Sequence, residues 1–518
     1  MLIDRRLFLA GAAAAALPAP AILRAQTLWR NYPFSLGIAS GDASPDGFVI
    51  WTRLAPEPLE AHGGMPMGVM PVSWEVASDE AFRTVVAKGD APARPELAHA
   101  VHVEVAGLQP GRPYWYRFTQ GGERSVRGQA RTLPAAGSRP DALRFGVAGC
   151  QNYEDGHFTA FGHMAREDLA FVYHYGDYIY EYRGDPLRPG GGAGGIFAPV
   201  RQHAGQLIYS LDDYRRRYAQ YKMDADLQRA HAAHAFFVTY DDHEVDNNWT
   251  RDGDGEGAPP EVFRLRRQAA LQAWYEHMPV RRASLPNGAA IQAYRGARYG
   301  DLVDMSFLDT RQFRTVQPCG DGFKPACAEV TAREAAVLGA EQEAWLGRNL
   351  QRRDVRWNCI AQQIMMMSLD RRRTPDEAPA KILNMDSWAA YEVPRQRLLS
   401  RMAGLDNTVV LTGDEHQNWT GVLHDARDRP VAVEFVATSI SSGGDGQDQR
   451  RGSDTILANN PQLKFVNDQR GYLTCDVSRD EWRTNFMVMD QVRVAGGKIS
   501  KRATAATARG ETPALRLA

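Results

Sequence analysis

Phe171-Val-Tyr-His-Tyr-Gly-Asp-Tyr-Ile-Tyr-Glu-Tyr182 begins as a short apolar and aromatic run and continues into polar side chains. The run is typical of a buried strand, and Gly176 interrupts it directly before the carboxylate of Asp177. A strand that ends in Gly-Asp holds its carboxylate at the carboxyl edge of a sheet, where open α/β sheets bind ligands. Tyr180 adds a phenol three residues further on. The segment therefore predicts a strand with ligand-binding groups at its end.

Three other segments share this design, a strand-like run followed by side chains that can bind a metal ion. They are Leu143–Gly149 before Cys150, Phe236–Tyr240 before Asp241, Asp242 and His243, and Thr408–Thr412 before Gly413, Asp414 and His416. Cysteine, aspartate, tyrosine and histidine are all metal-ligand types. Because four strand ends carry such residues, we expect them to meet in one metal centre.

Residues 1–26 have the features of an export signal in the expected order. Arg5 and Arg6 precede the apolar run Leu7–Leu17, and the small residue Ala25 offers a cleavage point. The run is shorter than the ~20 residues that a membrane span needs. We therefore predict a twin-arginine signal peptide, the twin-arginine export machinery as a partner, and a periplasmic or secreted location. A basic N-terminus with an Ala-rich helix is the alternative.

The composition is that of an ordinary globular protein, with 44% hydrophobic and 24% charged residues. The formal net charge of −1 gives no reason to expect nucleic acid binding. No run after the signal is apolar and long enough for a membrane span, so none is expected in the mature chain. Cys319 and Cys327 lie in a Gly/Pro-rich loop, which in an oxidising compartment favours a disulfide. Cys359 and Cys475 lie in strand-like runs and are expected to be buried apolar residues.

The chain divides into two regions by its secondary-structure pattern. Residues 31–134 consist of short β-rich runs separated by turns, which predicts an all-β sandwich of the fibronectin or immunoglobulin type. From 141 to 495 strands alternate with amphipathic helical segments, which predicts an α/β core. Residues 496–518 are rich in Gly, Ala and Thr and are expected to be a flexible tail.

Two metal ions that share a bridging carboxylate form a clamp for phosphate-ester hydrolysis, in which they orient a hydroxide and lower its pKa. Asp177, in the most central strand, is our candidate for the bridging ligand. Tyr180 and Cys150 offer a phenolate and a thiolate, which favour trivalent iron over zinc or magnesium. His416 would complete this iron side.

The remaining predicted ligands are hard oxygen donors. Asp242 and Asp414 suit a second ion resembling calcium or magnesium. His243 follows Asp242 directly, and we assign it transition-state stabilisation and general-acid work on the phosphoryl or leaving group.

Five motifs carry a resemblance to a known family. They are Ala148–Gly156, His174–Tyr182, Tyr240–Trp249, Ser306–Phe313 and Leu411–His416. In this order they resemble the PhoD-type alkaline phosphatases of the calcineurin-like metallophosphoesterase superfamily, over about residues 31–495. The resemblance implies a β-sandwich domain before a metallophosphoesterase αββα core. It also implies an Fe³⁺–Ca²⁺ centre and the hydrolysis of phosphomonoesters and phosphodiesters, with small phosphate esters as substrates.

Three positions depart from the wider superfamily pattern and support this branch of it. Cys150 stands where an Asp-x-His is usual, Asp242 where Asn is usual, and Asp414 where His is usual. How many calcium ions bind, and whether Asp241 or Asp246 takes part, stays open at this point.

Simpler interpretations exist for several of these residues. A lone Gly-Asp after a strand is usually only a turn, and Arg311 could bind phosphate or pair with a buried aspartate. Gln362 and Gln363 could line the site. Two other functions stay open: a phosphodiesterase or phospholipase D-like enzyme, and a non-catalytic protein that binds iron or phosphate. The chain has no Gly-x-Ser-x-Gly motif, which disfavours a serine hydrolase.

Overall fold

The N-terminal region of the protein is an all-β unit. The structure is a computed structural model that describes residues 29–184, 198–255, 257–374, 377, 380–510 and 512–518. The predicted signal peptide and the glycine-rich sequence of residues 189–195 lie outside these residues. The unit contains eight strands: β1 Ile38–Ser44, β2 Gly47–Arg53, β3 Met70–Ala77, β4 Val85–Ala93, β5 Ala100–Val105, β6 Pro113–Gln120, β7 Glu123–Arg124 and β8 Gly128–Arg131. Strands β3, β4, β6, β7 and β8 form one antiparallel sheet, and β1, β2 and β5 pair side by side.

The core that follows contains two large sheets. Its strands are β9 Ala142–Ala148, β10 Val172–His174, β11 Ala235–Val238, β12 Arg295–Tyr299, β13 Val303–Phe307, β14 Phe323–Pro325, β15 Trp357–Ala361, β16 Ile382–Asn384, β17 Thr408–Thr412, β18 Asn418–His424, β19 Pro430–Val436, β20 Leu463–Asn467, β21 Gly471–Ser478, β22 Glu481–Met489, β23 Ile499–Ala508 and β24 Arg516–Leu517. The order β24-β23-β22-β21-β9-β10-β11-β1-β2-β5 makes one sheet, and β12-β13-β15-β17-β19-β18-β20 makes the other. Strands β14 and β16 form a separate antiparallel pair.

The two sheets face each other through a shared apolar core that includes Phe145, Phe237, Phe307 and Leu411. Helices cover the outer faces: α1 Thr159–Met164, α2 Leu211–Lys222, α3 Ala225–Ala233 and α4 Pro260–His277 on one side, and α5 Gly339–Leu350 and α6 Glu392–Met402 on the other, with α7 Ser453–Asn459 beside β20. Layers of helix, sheet, sheet and helix result, as the αββα prediction requires. In the described part of the chain, no helix is long and apolar enough to cross a membrane.

Parallel pairing brings the predicted ligand-bearing strands together. Strand β10 lies between β9 and β11 and is parallel to both, while β17 is parallel to its neighbours β15 and β19 in the second sheet. The carboxyl ends of β9, β10 and β11 therefore lie at one edge of the first sheet, and that of β17 lies at the corresponding edge of the second. The metal-ligand types that follow these strands collect there.

One feature differs from the sequence prediction. The segment after Ala495 is not a flexible tail, because β23 pairs with β22 along nearly its whole length. Ala505 in this strand is fully buried in the apolar core, so a neighbouring strand supplies the stability that composition alone could not reveal. The N-terminal β domain is present as predicted. Strand β1 also pairs in parallel with β11 and so extends the core sheet.

Candidate metal centre

The predicted ligands lie on backbone that departs sharply from the strands before them. Cys150, Asp177, Asp414 and His416 have φ angles of 51°, 53°, 64° and 52°. A positive φ is uncommon for residues other than glycine, and it costs on the order of 1–3 kcal/mol at each position. Such conformations persist where the surrounding structure holds them. Here they occur at four of the seven predicted site residues.

Asp177 lies at the middle of the first group. Its Oδ2 atom is 3.2 Å from the Cys150 Sγ, 2.9 Å from the Tyr180 hydroxyl and 3.9 Å from the His416 Nε2. The Tyr180 hydroxyl is itself 3.2 Å from that His416 nitrogen. Cys150, Asp177 and Tyr180 are at most 1% exposed, whereas His416 retains an exposed edge. The four side chains that the sequence assigns to one ion therefore do converge.

The second group contains one carboxylate more than predicted. Oxygen atoms of Asp241, Asp242 and Asp414 lie within 4.8 Å of one another. Arg311 lies behind them, with its Nε 2.5 Å from Asp241 Oδ1 and a terminal nitrogen 3.6 Å from Asp242 Oδ1. A further terminal nitrogen of Arg311 is 2.8 Å from Asp386. Arg311 therefore pairs with buried aspartates, which is one of the two interpretations that the sequence left open.

His243 lies beside both groups and has a carboxylate partner of its own. A ligand atom of His243 lies within 4.8 Å of Asp177 and Asp242. Its Nδ1 is 2.7 Å from the Glu181 carboxylate, and its ring packs against the Tyr180 ring at a centroid distance of 4.1 Å. Burial lowers the pKa of His243, but Glu181, Asp242 and Asp177 together outweigh burial and raise that pKa well above its ordinary value. The carboxylates around the imidazole therefore favour its protonated form.

The remaining electrostatics favour a bound cation. Burial raises the pKa of Asp177 well above its ordinary value, and the neighbouring carboxylates add to this. Burial and neighbouring carboxylates likewise raise the pKa of Asp414 well above its ordinary value. Atoms Oδ1 of Asp177, Oδ2 of Asp241 and Oδ1 of Asp242 are buried and have no hydrogen-bond partner. Because unpaired buried carboxylate oxygens are costly, a metal ion among them would relieve the repulsion and satisfy these atoms. The donor set thus fits metal binding.

His416 also fits the role of a ligand. Burial, and then the Arg470 guanidinium, lower the pKa of His416 to about 3. Neutral imidazole is the form of histidine that binds metal.

Sequence reasoning missed the residues that hold these loops in place. Glu244 is buried and accepts hydrogen bonds from the backbone N–H groups of Asp177, Tyr178 and Asp241. Its neighbour His243 drew attention in the sequence, but nothing local marks Glu244 as a brace between two strand ends. Ser442, in the loop after β19, is 2.6 Å from the Tyr180 hydroxyl and donates to the Cys150 carbonyl.

Other residues considered in the sequence are structural. Gln362 and Gln363 are fully buried and hydrogen bond to backbone and threonine side chains rather than lining the centre. Cys319 and Cys327 form a disulfide, and Cys359 and Cys475 are free and buried, as predicted.

Comparisons with known proteins agree with this geometry. The family model of the PhoD-like phosphatase matches residues 145–486, and that of the PhoD-like phosphatase N-terminal domain matches residues 19–134. Alkaline phosphatase D of Bacillus subtilis (strain 168) is 44% identical in an alignment of 517 positions that covers 97% of this chain and 87% of the relative. A solved structure of PhoD is 46% identical and superimposes with a TM-score of 0.89, covering 94% of this chain and 92% of that one.

A more distant structural relative shows the fold alone. The purple acid phosphatase PPD1 of yellow lupin (Lupinus luteus) is 13% identical, with a TM-score of 0.55 over 92% of this chain and 75% of that one. Together with the two family models and the close relatives, this leads to one assignment. The chain belongs to the PhoD-like phosphatase family.

Proposed function

We propose that the protein is an exported, metal-dependent phosphatase that hydrolyses phosphomonoesters and phosphodiesters. The observation that carries the proposal is the convergence of a thiol, a phenol, an imidazole and four carboxylates, three of which have a buried oxygen without a partner. Storage of a metal would not need the protonated histidine beside it. Export by the twin-arginine route is supported by Arg5 and Arg6 before the apolar run in residues 1–26.

In this proposal Cys150, Asp177, Tyr180 and His416 hold Fe³⁺, and Asp242 and Asp414 hold Ca²⁺, with Asp177 shared between the ions. Thiolate and phenolate are strongly donating anions, whereas the second group offers only carboxylate oxygens, which suit a hard ion. Asp241 can complete that group. A metal pair, when bound, neutralises charge on the phosphoryl oxygens and lowers the pKa of the attacking water.

The chain's own groups then handle the proton at the leaving group. His243 keeps its proton because Glu181 accepts a hydrogen bond from Nδ1, which leaves Nε2 as the nitrogen available to the substrate. A protonated imidazole next to the phosphoryl site can donate to the departing alcohol oxygen. Arg311 is fully buried and fixes the carboxylates from behind.

Turnover and metal content, measured on the same samples, test the proposal. Purified protein should hydrolyse a chromogenic phosphomonoester and, as a second substrate, the matching bis-ester. A calcium-selective chelator should abolish activity while iron remains bound, and added calcium should restore it. His243→Ala should lower turnover ~10²–10⁴-fold with metal content near that of the wild type. Full activity without either metal, or no turnover of either ester by metal-loaded protein, would refute the proposal.

A further inference from the structure

A cavity of about 610 Å³ opens directly beside the metal centre, and Asp414 and Asp386 are among the residues that line it. Its volume lies in the range of sites that enclose a whole small molecule. A phosphate group alone would leave most of it empty. Because Asp414 belongs to both the centre and the cavity, a phosphoryl group held at the centre would place the rest of its ester in this space.

One wall of the cavity is apolar and aromatic. Phe323, Ile382, Trp419 and Ile456 line it, and the Phe323 side chain is 59% exposed. Phe323 lies in the segment that the Cys319–Cys327 disulfide closes, and β14 pairs with β16 at the same rim. The Trp419 ring is buried behind this wall, and the Arg371 guanidinium lies 4.7 Å from the centre of the ring. The exposed Phe323 ring suits a bound organic group.

The rest of the lining is rich in arginine. Apart from residues of the metal centre, the cavity lining includes four arginines and two glutamates. These are Arg371, Arg373, Arg450, Arg451, Glu377 and Glu415. Arg371 is 2.7 Å from Glu415, and Arg450 is 2.7 Å from Asp468. Arg373 and Arg451 are exposed and form no ion pair with any residue that the structure describes. Among the described residues, these two guanidinium groups therefore have no carboxylate partner and can meet an anion from solution.

Arg373 and Arg451 are held near each other by the chain around Gly452. The Arg373 side chain lies beside Gly452, where a Cβ would be 3.4 Å from its Cγ, and Arg451 is the preceding residue. Guanidinium groups bind phosphate through several N–H donors at once. Apart from the metal centre, the cavity lining thus offers a second place for a phosphate.

We propose that this cavity binds the alcohol part of the substrate and selects phosphate esters whose alcohol carries a second phosphate. The reacting phosphate occupies the metal centre, the carbon skeleton lies along Phe323 and Ile456, and the second phosphate meets Arg373 and Arg451. The proposal rests on the phosphatase function proposed above and assigns the class of substrate that the site prefers.

Matched substrates test the selectivity: 1,3-propanediol monophosphate, 1,3-propanediol bisphosphate and hexyl phosphate. After correction for its two equivalent esters, the bisphosphate should have a kcat/KM about tenfold above that of the monophosphate, as expected for two partly exposed charge pairs. The difference should appear mainly in KM and should shrink as ionic strength rises. Equal kcat/KM values, or a preference for hexyl phosphate, would overturn the proposal.

The variant Arg373→Gln/Arg451→Gln should lose this preference and keep the activity on the monophosphate within about twofold. The control Arg333→Gln/Arg353→Gln removes two exposed arginines outside the cavity and should behave like the wild type. A double variant that keeps the full preference for the bisphosphate would contradict the assignment of these two residues.

A binding measurement separates failure of the subsite from failure of the phosphatase function. If the wild type hydrolyses none of the three esters, the phosphatase function is wrong. Calorimetric titration with 1,3-propanebisphosphonate and propylphosphonate still decides the subsite. The wild type should bind the bisphosphonate about tenfold more tightly than the monophosphonate, and the Arg373→Gln/Arg451→Gln variant should not. Equal affinities in the wild type would overturn the subsite.

Discussion

At the scale of single residues, one carboxylate contributes most to the protonation of His243, the general acid of the proposed mechanism. Glu181 accepts hydrogen bonds from the His243 imidazole and from the backbone N–H of Asn247, and only 3% of its side chain is exposed. A general acid works only while it is protonated, so in the proposed mechanism the pKa of His243 would set the alkaline limit of activity. Glu181, more than Asp242 and Asp177, raises that pKa and would extend the limit upward.

Glu181→Gln should move the alkaline limb of the pH–rate profile to lower pH. The amide keeps a hydrogen-bond acceptor for Nδ1 but removes the charge that stabilises the imidazolium, so His243 loses its proton at a lower pH. The measurement is kcat/KM for a phosphomonoester between pH 6 and 11, with Glu343→Gln in α5 as the control. An unchanged alkaline limb would show that Glu181 does not set the charge of His243.

At the scale of elements, one aromatic ring joins the two sheets beneath the metal centre. The Tyr175 ring follows β10 and packs against the backbone of Gly149 after β9 and of Gly413 after β17, and its hydroxyl donates to the Thr438 carbonyl. A Cβ added at Gly149 or at Gly413 would overlap with the ring. These glycines are therefore required by close packing between strand ends.

Gly413→Ala should reduce both stability and activity, because the Tyr175 ring must move and Asp414 is the next residue. Overpacking of this kind costs about 1–3 kcal/mol. Thermal unfolding and phosphomonoester turnover measure the two effects. Gly68→Ala is the matched control, since a Cβ there meets nothing within 4 Å. A Gly413→Ala protein with the Tm and turnover of the control would refute the packing argument.

Glu434 in β19 makes the stability of the folded protein depend on pH. It is fully buried and accepts hydrogen bonds from the Met366 and Met367 N–H groups and from the Thr412 hydroxyl. Burial raises the pKa of Glu434 to about 7, although these hydrogen bonds oppose the rise. The folded protein therefore binds this proton more tightly than the unfolded chain. The stabilisation is complete below about pH 4.5 and is lost as the pH rises to about 7.

Glu434→Gln should remove this part of the pH dependence. The difference in the free energy of unfolding between wild type and variant should change by about 3 kcal/mol between pH 4.5 and 7, with the wild type losing stability as the pH rises. Denaturant unfolding of both proteins across this range measures it, and Glu343→Gln again serves as the control. Parallel curves for wild type and Glu434→Gln would contradict the prediction.

At the scale of the whole molecule, the N-terminal β unit completes the core sheet. Strand β1 pairs with β11, the strand that leads to Asp241, Asp242 and His243. The Trp51 indole N–H also donates to the Glu276 carbonyl, and Arg53 is 2.7 Å from His277 at the end of α4. Removal of this unit would leave β11 as an open edge, which invites pairing with other chains.

Residues 141–518 expressed alone should therefore aggregate or lose activity. Size-exclusion chromatography and turnover of a phosphomonoester measure both outcomes, with residues 27–518 as the control. A soluble, monomeric and fully active 141–518 fragment would show that the core folds without the N-terminal unit.

The sequence by itself determined an α/β core with four ligand-bearing strand ends, and the family resemblance of its motifs implied the αββα arrangement of that core. The strand ends follow from local pattern, because an apolar run that stops at a Gly, Cys or Asp fixes both the strand and the residue at its end. Parallel topology then brings such ends to one edge. Cys150, Asp177, Tyr180, Asp242, Asp414 and His416 could be named in this way, together with His243.

Only the tertiary structure decided what supports those residues. Arg311 meets Asp241 from 70 residues away, Ser442 meets Tyr180 from 262, and Glu181 meets His243 from 62. The order in residues 499–508 likewise depends on pairing with β22, and the place of β1 depends on β11. Contacts between distant segments leave no periodic signal in either segment. Their partners are therefore set by the packing of the sheets and not by the local sequence.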